Sequence, residues 1–202
     1  MFLQTLVVIV AILAVVWWYL HRDPERTDAH FDGYVSPASG VIVDIITAPS
    51  ATEKKLFIKK GKYGITAFFD DFKQGKTIIV IMMKPQHIHT QRAPFAGTIK
   101  RVVYRYGLKL NAVFGDYQKA TVENEHVLYV IDGKKPCAVY SIAGLMARRV
   151  RPIAILGQKL RQGERISKIT FGSQVAIILP KTKKILVSKG QTVVDGITPL
   201  AR

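Results

Sequence analysis

The sequence predicts a mainly β domain that follows a single membrane-spanning helix. The first twenty residues carry no charge and have only Gln4 and Thr5 as polar interruptions. From residue 35 onwards, segments of four to eight residues rich in Val, Ile, Phe and Tyr alternate with turns containing Gly, Pro and Lys, a pattern typical of all-β domains. We therefore expect a transmembrane anchor at residues 1–20, a linker at 21–34 and one β domain at 35–202.

The apolar start is long enough to cross a bilayer. Twenty residues at about 1.5 Å each span about 30 Å, the thickness of the hydrocarbon core. The Trp17-Trp18-Tyr19 cluster suits a membrane interface. A cleavable signal peptide would begin with basic residues and end in small ones, whereas bulky aromatics and the charged segment His21–Arg26 stand here. We expect a retained anchor, and because basic residues follow the span and none precede it, we expect the body in the cytoplasm.

The body is predicted to consist of short strands. Its apolar segments are bounded by turn residues, and helical periodicity is scarce. The expected strands are Gly40–Ile46, Lys55–Ile58, Thr77–Met83, Gly97–Tyr104, His126–Ile131, Ala138–Ala143, Arg165–Phe171, Gln174–Leu179 and Lys184–Val187. Thr66–Gln74 is predicted to be a short helix or a loop.

Three segments each join an apolar strand to a glycine-containing turn, namely Ala93–Ile99, Gly157–Glu164 and Val187–Val193. We expect each of them to form a hairpin. Paired sheets joined by tight glycine turns resemble, in architecture, the barrel-sandwich hybrid of biotinyl and lipoyl carrier domains. A barrel-sandwich-hybrid-like domain is therefore expected, without the carrier function, because Lys84 is followed by Pro85 rather than by a second strand.

The body is strongly basic. All 30 Lys and Arg and all 14 acidic residues follow residue 20, so the net charge of +16 belongs to the body. Such a surface attracts nucleic acid or an anionic membrane, and the anchor favours the membrane. The sequence has no groove-reading motif or array of stacking aromatics, so we expect no nucleic-acid partner. The single Cys137 excludes an intrachain disulfide framework and is typical of a buried small residue.

The segment Phe171-Gly172-Ser173-Gln174 stands between two predicted strands. In a strained turn, the serine hydroxyl can attack the preceding glycine carbonyl to give an ester. Elimination then releases the upstream chain, and hydrolysis of the resulting dehydroalanine leaves a pyruvoyl group. Glycine permits the close approach and unusual backbone angles that such a turn needs. A Gly-Ser pair alone is usually a plain turn, so this chemistry depends on the surrounding motifs.

Those motifs resemble the phosphatidylserine decarboxylase family, in particular its short bacterial and archaeal branch. The resemblance runs nearly end to end. The matching segments are Arg22–Arg26, Val35–Gly40, His89–Gly97, Glu123–Glu125, Ile142–Arg149, Gly163–Ile166 and Phe171–Ser173.

The resemblance implies self-cleavage between Gly172 and Ser173, leaving a β chain of residues 1–172 and an α chain of residues 173–202 that stay together. The α chain would begin with a pyruvoyl group derived from Ser173, the cofactor of a carboxy-lyase. The implied reaction removes CO2 from a serine phospholipid, either phosphatidylserine or archaetidylserine. The resemblance is also compatible with a homodimer.

The resemblance also implies roles for individual residues. His89 matches the family histidine that acts beside the pyruvoyl group, and histidine suits proton transfer near neutral pH. Arg92, Arg148 and Arg149 are expected to bind the carboxylate or phosphate of the substrate, because a guanidinium binds such groups in bidentate fashion. His87 is also expected to bind the substrate, and on a strand it would project from the same face as His89. A metal pair with His126 as third ligand is a weaker alternative, and we expect no metal.

Several positions depart from the family pattern. Ser39 stands where the family usually has an aspartate that supports the base for scission, and His87, Gln91, Gln174 and Ala176 also differ. One interpretation is a working site in which His87 or His89 deprotonates Ser173 directly. The alternative is an uncleaved, inactive protein that is anchored in the membrane and binds anionic lipids. An anchored adaptor of a transport complex would need long heptad-bearing hairpins, which this sequence lacks.

Overall fold

In the computed structural model, the described residues are 2–26, 30–48, 75–107, 124–144, 149–169, 173–181 and 183–202. The chain begins with helix α1 (Phe2–His21). Its stretch Leu3–His21 is apolar enough to cross a membrane, and none of it is buried against the body. Since exposed Leu, Ile and Val side chains favour a lipid environment over water, the structure agrees with the expected anchor.

The body consists of strands. They are β1 (Tyr34–Val35), β2 (Gly40–Ala48), β3 (Lys76–Met83), β4 (Thr90–Arg92), β5 (Gly97–Arg105), β6 (His126–Asp132), β7 (Cys137–Ala143), β8 (Val150–Pro152), β9 (Lys159–Leu160), β10 (Arg165–Ile169), β11 (Ser173–Pro180), β12 (Thr192–Val193) and β13 (Pro199–Ala201). The predicted mainly β class with an N-terminal apolar helix is confirmed.

The strands form one large sheet and two small ones. The large sheet has the order β12-β2-β3-β11-β7-β6-β5-β9 and curls into a half-barrel. The small sheets have the orders β4-β10-β8 and β1-β13. All these pairs are antiparallel. Register shifts at Ile42/Asp44 in β2 and at Ile99/Arg101 in β5 mark bulges, which bend a strand and increase its twist.

The middle of the large sheet is covered on both faces. Every residue of β3 is buried. Ile79, Ile81 and Met83 pack into the main core, whereas Ile78 and Val80 pack into a second cluster on the opposite face. Burial on both faces explains the continuous apolar run of β3, because apolar and polar residues alternate along a strand only where one face of the sheet meets water. Strand β11 lies beside β3 in this covered region and carries the start of the site.

Some local predictions are wrong. None of the three glycine-turn segments is a hairpin, because β4 and β5 lie in different sheets, β9 and β10 lie in different sheets, and β12 pairs with β2. Lys184–Val187 is reduced to an isolated bridge from Ile185 to Ala201. The predicted strand Lys55–Ile58 and the segment Thr66–Gln74 lie outside the described residues.

The segment after α1 is bound to the body. Arg22 Nη2 donates to the carbonyl of Gln86 at 2.8 Å. The Asp23 carboxylate accepts from Arg92 at 2.7 Å and from Arg165 at 2.9 Å, and Glu25 pairs with Arg165 at 2.5 Å. We call Arg22–Arg26 the juxtamembrane clasp. The part of the predicted linker nearest the helix is thus held by ion pairs in a fixed position on the body.

Candidate active site

Ser173 begins strand β11 in the interior of the large sheet. Its Cα partners are Met83 on β3 and Ala143 on β7, so its backbone is flanked on both sides. Gly172 and Phe171 lie outside the described residues. Residues 170–172 separate the end of β10 from β11, a central strand of the half-barrel. The predicted scission point lies at the end of this connection in the sequence.

His89 lies next to the segment that leads to Ser173. The residue directly precedes β4, and its carbonyl accepts the backbone amide of Ile169, the last residue of β10, at 2.9 Å. Its side chain is only 6% exposed. Burial lowers the pKa of His89 to about 4, and the nearby cations of Lys168 and Arg22 act in the same direction. The imidazole is therefore neutral at neutral pH and can accept a proton.

His87 lies in the turn between β3 and β4. Its Nδ1 accepts the backbone amide of Lys84 at 2.9 Å, and its own amide donates to the Lys84 carbonyl at 3.0 Å. Burial lowers the pKa of His87, and the positive charges of Lys84 and Arg22 lower it further. Both histidines thus lie on the connection between β3 and β4, outside any strand, so the prediction that they project from one strand face is wrong. Arg22, which follows α1, lies near this connection through its contact with Gln86.

Hydrogen bonds between buried polar side chains connect three strands to the backbone of His89. Ser141 Oγ on β7 lies 2.9 Å from Ser167 Oγ on β10, and Ser167 donates to Gln91 Oε1 at 2.9 Å. Gln91 Nε2 in turn donates to the His89 carbonyl at 2.8 Å. This network fixes the backbone at His89 relative to the sheet. Gln91 was noted in the sequence only as a departure from the family pattern, and its two serine partners are too common to be singled out from sequence.

Arg92 ends β4 and is fully buried. Its Nε donates to Asp195 at 2.6 Å, its Nη1 to the Gly163 carbonyl at 3.1 Å, and its Nη2 to Asp23 and to the Pro24 carbonyl. All of these partners belong to the protein, so the described contacts favour a structural role. The expected contact of Arg92 with substrate stays a prediction.

Ser39 has an acidic neighbour that the sequence did not reveal. Its hydroxyl donates to Asp195 Oδ1 at 2.5 Å and accepts the Asp195 amide at 3.0 Å. Asp195 is fully buried and lies in the turn between β12 and β13. A carboxylate is therefore present beside position 39, where the family resemblance implied one. Because Asp195-Gly196 is a common turn dipeptide, its sequence context gave no signal of burial.

The other predicted residues are placed as follows. Arg149 is exposed, and Arg148 lies outside the described residues. His126 lies at the start of β6, with Nδ1 2.8 Å from the carbonyl of Asn124. Among the described residues, no group of three His, Cys, Asp or Glu side chains is placed to hold a metal ion. The roles of Arg148 and Arg149 in substrate binding stay predictions.

A further carboxylate, Glu125, lies between these elements. Its Oε1 accepts from Tyr104 Oη at 2.5 Å and from the backbone amide of Val150 at 3.1 Å. Burial and the hydrogen bond to Glu125 raise the pKa of Tyr104 to about 12, so the phenol stays protonated and donating. Glu125 thereby connects Tyr104 on β5 to Val150, the first residue of β8, which Arg149 directly precedes in the chain.

Comparison with known proteins gives a consistent result. The family model described as phosphatidylserine decarboxylase matches residues 14–201. A phosphatidylserine decarboxylase proenzyme of Ruegeria pomeroyi is 36% identical over 191 residues, covering 92% of this chain and 78% of the relative. Proenzymes of the same name from Erythrobacter litoralis and Streptomyces griseus are 36% and 33% identical over 195 residues each. These two alignments each cover 95% of this chain, and 75% and 76% of the relatives.

Proposed function

This chain belongs to the phosphatidylserine decarboxylase family of carboxy-lyases, and from that premise we propose that it matures by cutting its own backbone between Gly172 and Ser173. The mature protein then removes CO2 from a serine phospholipid, with phosphatidylserine or archaetidylserine as the substrate. The observation that carries the proposal is the buried, neutral imidazole of His89, a residue whose backbone carbonyl accepts the amide of Ile169 at the end of the strand that leads to Ser173.

The proposed scission uses only groups of the chain and one water molecule. A base takes the hydroxyl proton of Ser173 as its oxygen bonds to the Gly172 carbonyl carbon. The Gly172–Ser173 C–N bond then breaks, giving an ester and a free amine. Removal of the Ser173 α-proton expels Gly172 as a carboxylate and leaves dehydroalanine. Water replaces the nitrogen, which departs as ammonia, and a ketone remains at the new α-chain terminus.

The described residues fit these needs. His89 is neutral, so it can accept the hydroxyl proton, and its burial among β4 and β10 keeps bulk water away. The network from Ser141 to Gln91 holds the His89 backbone in place. Ser173 is held by β3 and β7 on its two sides, which limits the freedom of the bond to be cut.

In the decarboxylation step, a pyruvoyl group supplies an electron-withdrawing carbonyl for the amine of the substrate. His89 is proposed to accept a proton from the substrate ammonium as the amine reacts, and then to return a proton to the substrate carbon after CO2 leaves. Three cations lie near the two histidines: Arg22 donates to the Gln86 carbonyl, the Lys84 amide donates to His87, and Lys168 pairs with Thr90. We propose that their charges attract the anionic headgroup. Arg149 and Arg148, with His87, remain proposed contacts of the carboxylate and phosphate.

We place the protein in the membrane through α1, with the body on the cytoplasmic side. Support comes from the apolar helix and from the basic residues Arg22 and Arg26 that follow it. The clasp sets the turn of His87 beside the end of α1, through Arg22 and Gln86. The site would therefore face the headgroup region, where the serine of the substrate lies.

Denaturing mass spectrometry of freshly purified, full-length protein tests this function. The expected result is a fragment of residues 173–202 whose blocked terminus reacts with a hydrazine, together with release of CO2 from phosphatidylserine in mixed micelles. Ser173→Ala should remain a single chain without activity, whereas the control Ser188→Ala, at an exposed serine, should cleave normally. An intact wild-type chain without a hydrazine adduct would leave the anionic-lipid-binding function as the better interpretation.

A further inference from the structure

Asp195 is a buried carboxylate that touches two parts of the site. Its side chain is 0% exposed. One oxygen accepts from Ser39 at 2.5 Å, and the other accepts from Arg92 Nε at 2.6 Å. Arg26 of the clasp lies 3.9 Å from the same second oxygen. A buried charge survives only when it is paired and hydrogen-bonded, and here both oxygens are engaged.

The Arg92 contact leads to His89. Arg92 is the last residue of β4 and pairs with Arg165 on β10, while Thr90 at the other end of β4 pairs with Lys168. His89 directly precedes Thr90, and Ile169 directly follows Lys168. Fixing the Arg92 guanidinium therefore fixes one end of the two-strand unit whose other end carries His89 and continues towards Ser173.

The Ser39 contact leads to the opposite side of the same region. Ser39 precedes Gly40, the first residue of β2, and Val41 pairs with Met82 on β3. Met83, the next residue of β3, pairs with Ser173. Ser39 and Ser173 thus approach β3 from its two edges at the same end of the sheet. At about 4.8 Å between neighbouring strands, they are separated by roughly 10 Å.

We propose that Asp195 is a positioning residue of the scission site, whose carboxylate holds Ser39 and Arg92 so that His89 and the Gly172–Ser173 bond meet in register. The inference rests on the proposed function, because it concerns the self-cleavage step. Asp195 acts through Arg92 and Ser39 and makes no contact with the substrate. It lies in the α chain, whereas Ser39 and Arg92 lie in the β chain, so the same contacts hold the two fragments together after scission.

The contact between Ser39 and Asp195 also indicates that position 39 could supply the carboxylate in place of position 195. An aspartate at position 39 would carry its oxygens one bond beyond the present position of Ser39 Oγ. Those oxygens would reach towards the position of Asp195 Oδ1, which lies 2.5 Å from Ser39 Oγ. Moving the acid from position 195 to position 39 should therefore preserve the negative charge beside Arg92, whereas Ser39→Asp alone would force two carboxylates together.

Four full-length proteins in detergent test the proposal: wild type, Asp195→Asn, the double variant Ser39→Asp/Asp195→Ser, and Asp32→Asn. Asp32 is an exposed carboxylate paired with Lys135, so its variant is the matched control. The readouts are the rate of appearance of the 173–202 fragment, normalised to folded protein, and the thermal unfolding midpoint. We expect Asp195→Asn to slow cleavage at least tenfold, the double variant to return to within about threefold of wild type, and the control to match wild type.

The outcomes distinguish a positioning role of Asp195 from a merely structural one. If folded Asp195→Asn cleaves at the wild-type rate and only its unfolding midpoint falls, Asp195 is merely structural and the proposal is overturned. If Asp195→Asn does not fold, the double variant decides: cleavage supports the proposal, whereas an uncleaved or unfolded double variant refutes it. Absence of cleavage in the wild-type protein would instead remove the proposed function itself.

Discussion

The carbonyl of His89 accepts the amide of Ile169 at 2.9 Å. This single bond joins the residue proposed as base to the end of the strand that leads to Ser173. Residues that are far apart in sequence are brought together because β4 and β10 pair in the small sheet β4-β10-β8, while β11 crosses into the large sheet. The site is thus built at a junction between two sheets, and four predictions follow from its contacts.

His89→Asn should slow both proton-transfer steps. The imidazole is 6% exposed and is neutral because burial lowers its pKa to about 4. General acid–base catalysis typically contributes about 10² to 10⁴-fold, so a loss of decarboxylation rate in that range is expected. The rate of CO2 release from the cleaved fraction measures it. An activity within twofold of wild type would assign the proton transfers to another group.

The stability of the protein should fall as the pH drops from 6.5 towards 4. The unfolded chain protonates His89 near pH 6.5, whereas the folded protein resists protonation until about pH 4. The stabilisation is fully present above pH 6.5, and the loss across this window is on the order of 3 kcal/mol. His87 and His126, whose pKa values burial also lowers, act in the same direction.

Chemical denaturation at several pH values measures this effect. The Ser173→Ala background keeps the protein as one chain, so that its unfolding is unimolecular. His89→Asn in that background should flatten most of the slope between pH 6.5 and 4. An unchanged slope in this variant would mean that other groups cause the acid sensitivity.

Ser167→Ala should destabilise the protein by about 1–3 kcal/mol, because the Oε1 atom of Gln91 and the hydroxyl of Ser141 each lose a buried partner. Self-cleavage should also slow, since Gln91 holds the His89 carbonyl. Denaturant unfolding and the fragment appearance rate measure the two effects. Ser188→Ala, at an exposed serine, should change stability by less than about 0.5 kcal/mol, and an equal effect of both variants would contradict the network.

Asp23→Asn should loosen the juxtamembrane clasp. The Asp23 carboxylate bridges Arg92 and Arg165, whereas Glu25, which is 64% exposed, forms an ion pair with only Arg165 among the described residues. Faster proteolysis within residues 22–26 is expected, with activity falling several-fold more on substrate in bilayers than in micelles. Glu25→Gln is the control and should have little effect, since exposed ion pairs contribute little. Equal losses in bilayers and micelles would show that the clasp does not orient the body.

Much of the large sheet was predictable because its strands carry strong local signals. The predicted strand Thr77–Met83 is apolar from Ile78 onwards and is bounded by Gly75 and by Lys84-Pro85, so its limits were correct to within one residue. The two-residue strands β1, β9 and β12 were missed, because they exist only through partners far away in the chain. The hydrophobic periodicity of a short sequence window cannot predict a two-residue strand of this kind.

Candidate site residues could be proposed from the sequence only where residue type and motif agree. Ser173, His89 and Arg92 stand in motifs, whereas Asp195 stands in a dipeptide that usually marks an exposed turn. Its burial results from the packing of the β12–β13 connection against β2 and β4, which no short window of sequence contains. Arg22 was assigned to the membrane flank, and its contact with Gln86 beside the histidines depends on the way the clasp folds back.

Strand β11 begins at Ser173 and is flanked by β3 and β7, while β12 and β13 further along the chain pair with β2 and β1. In the proposed maturation, a precursor that has not assembled these ladders would not present the bond for scission. Cleavage would therefore depend on prior folding, and the short fragment would appear only after the precursor has reached its native topology. It would also be irreversible, because the proposed scission releases the nitrogen of Ser173 as ammonia and the peptide bond cannot re-form.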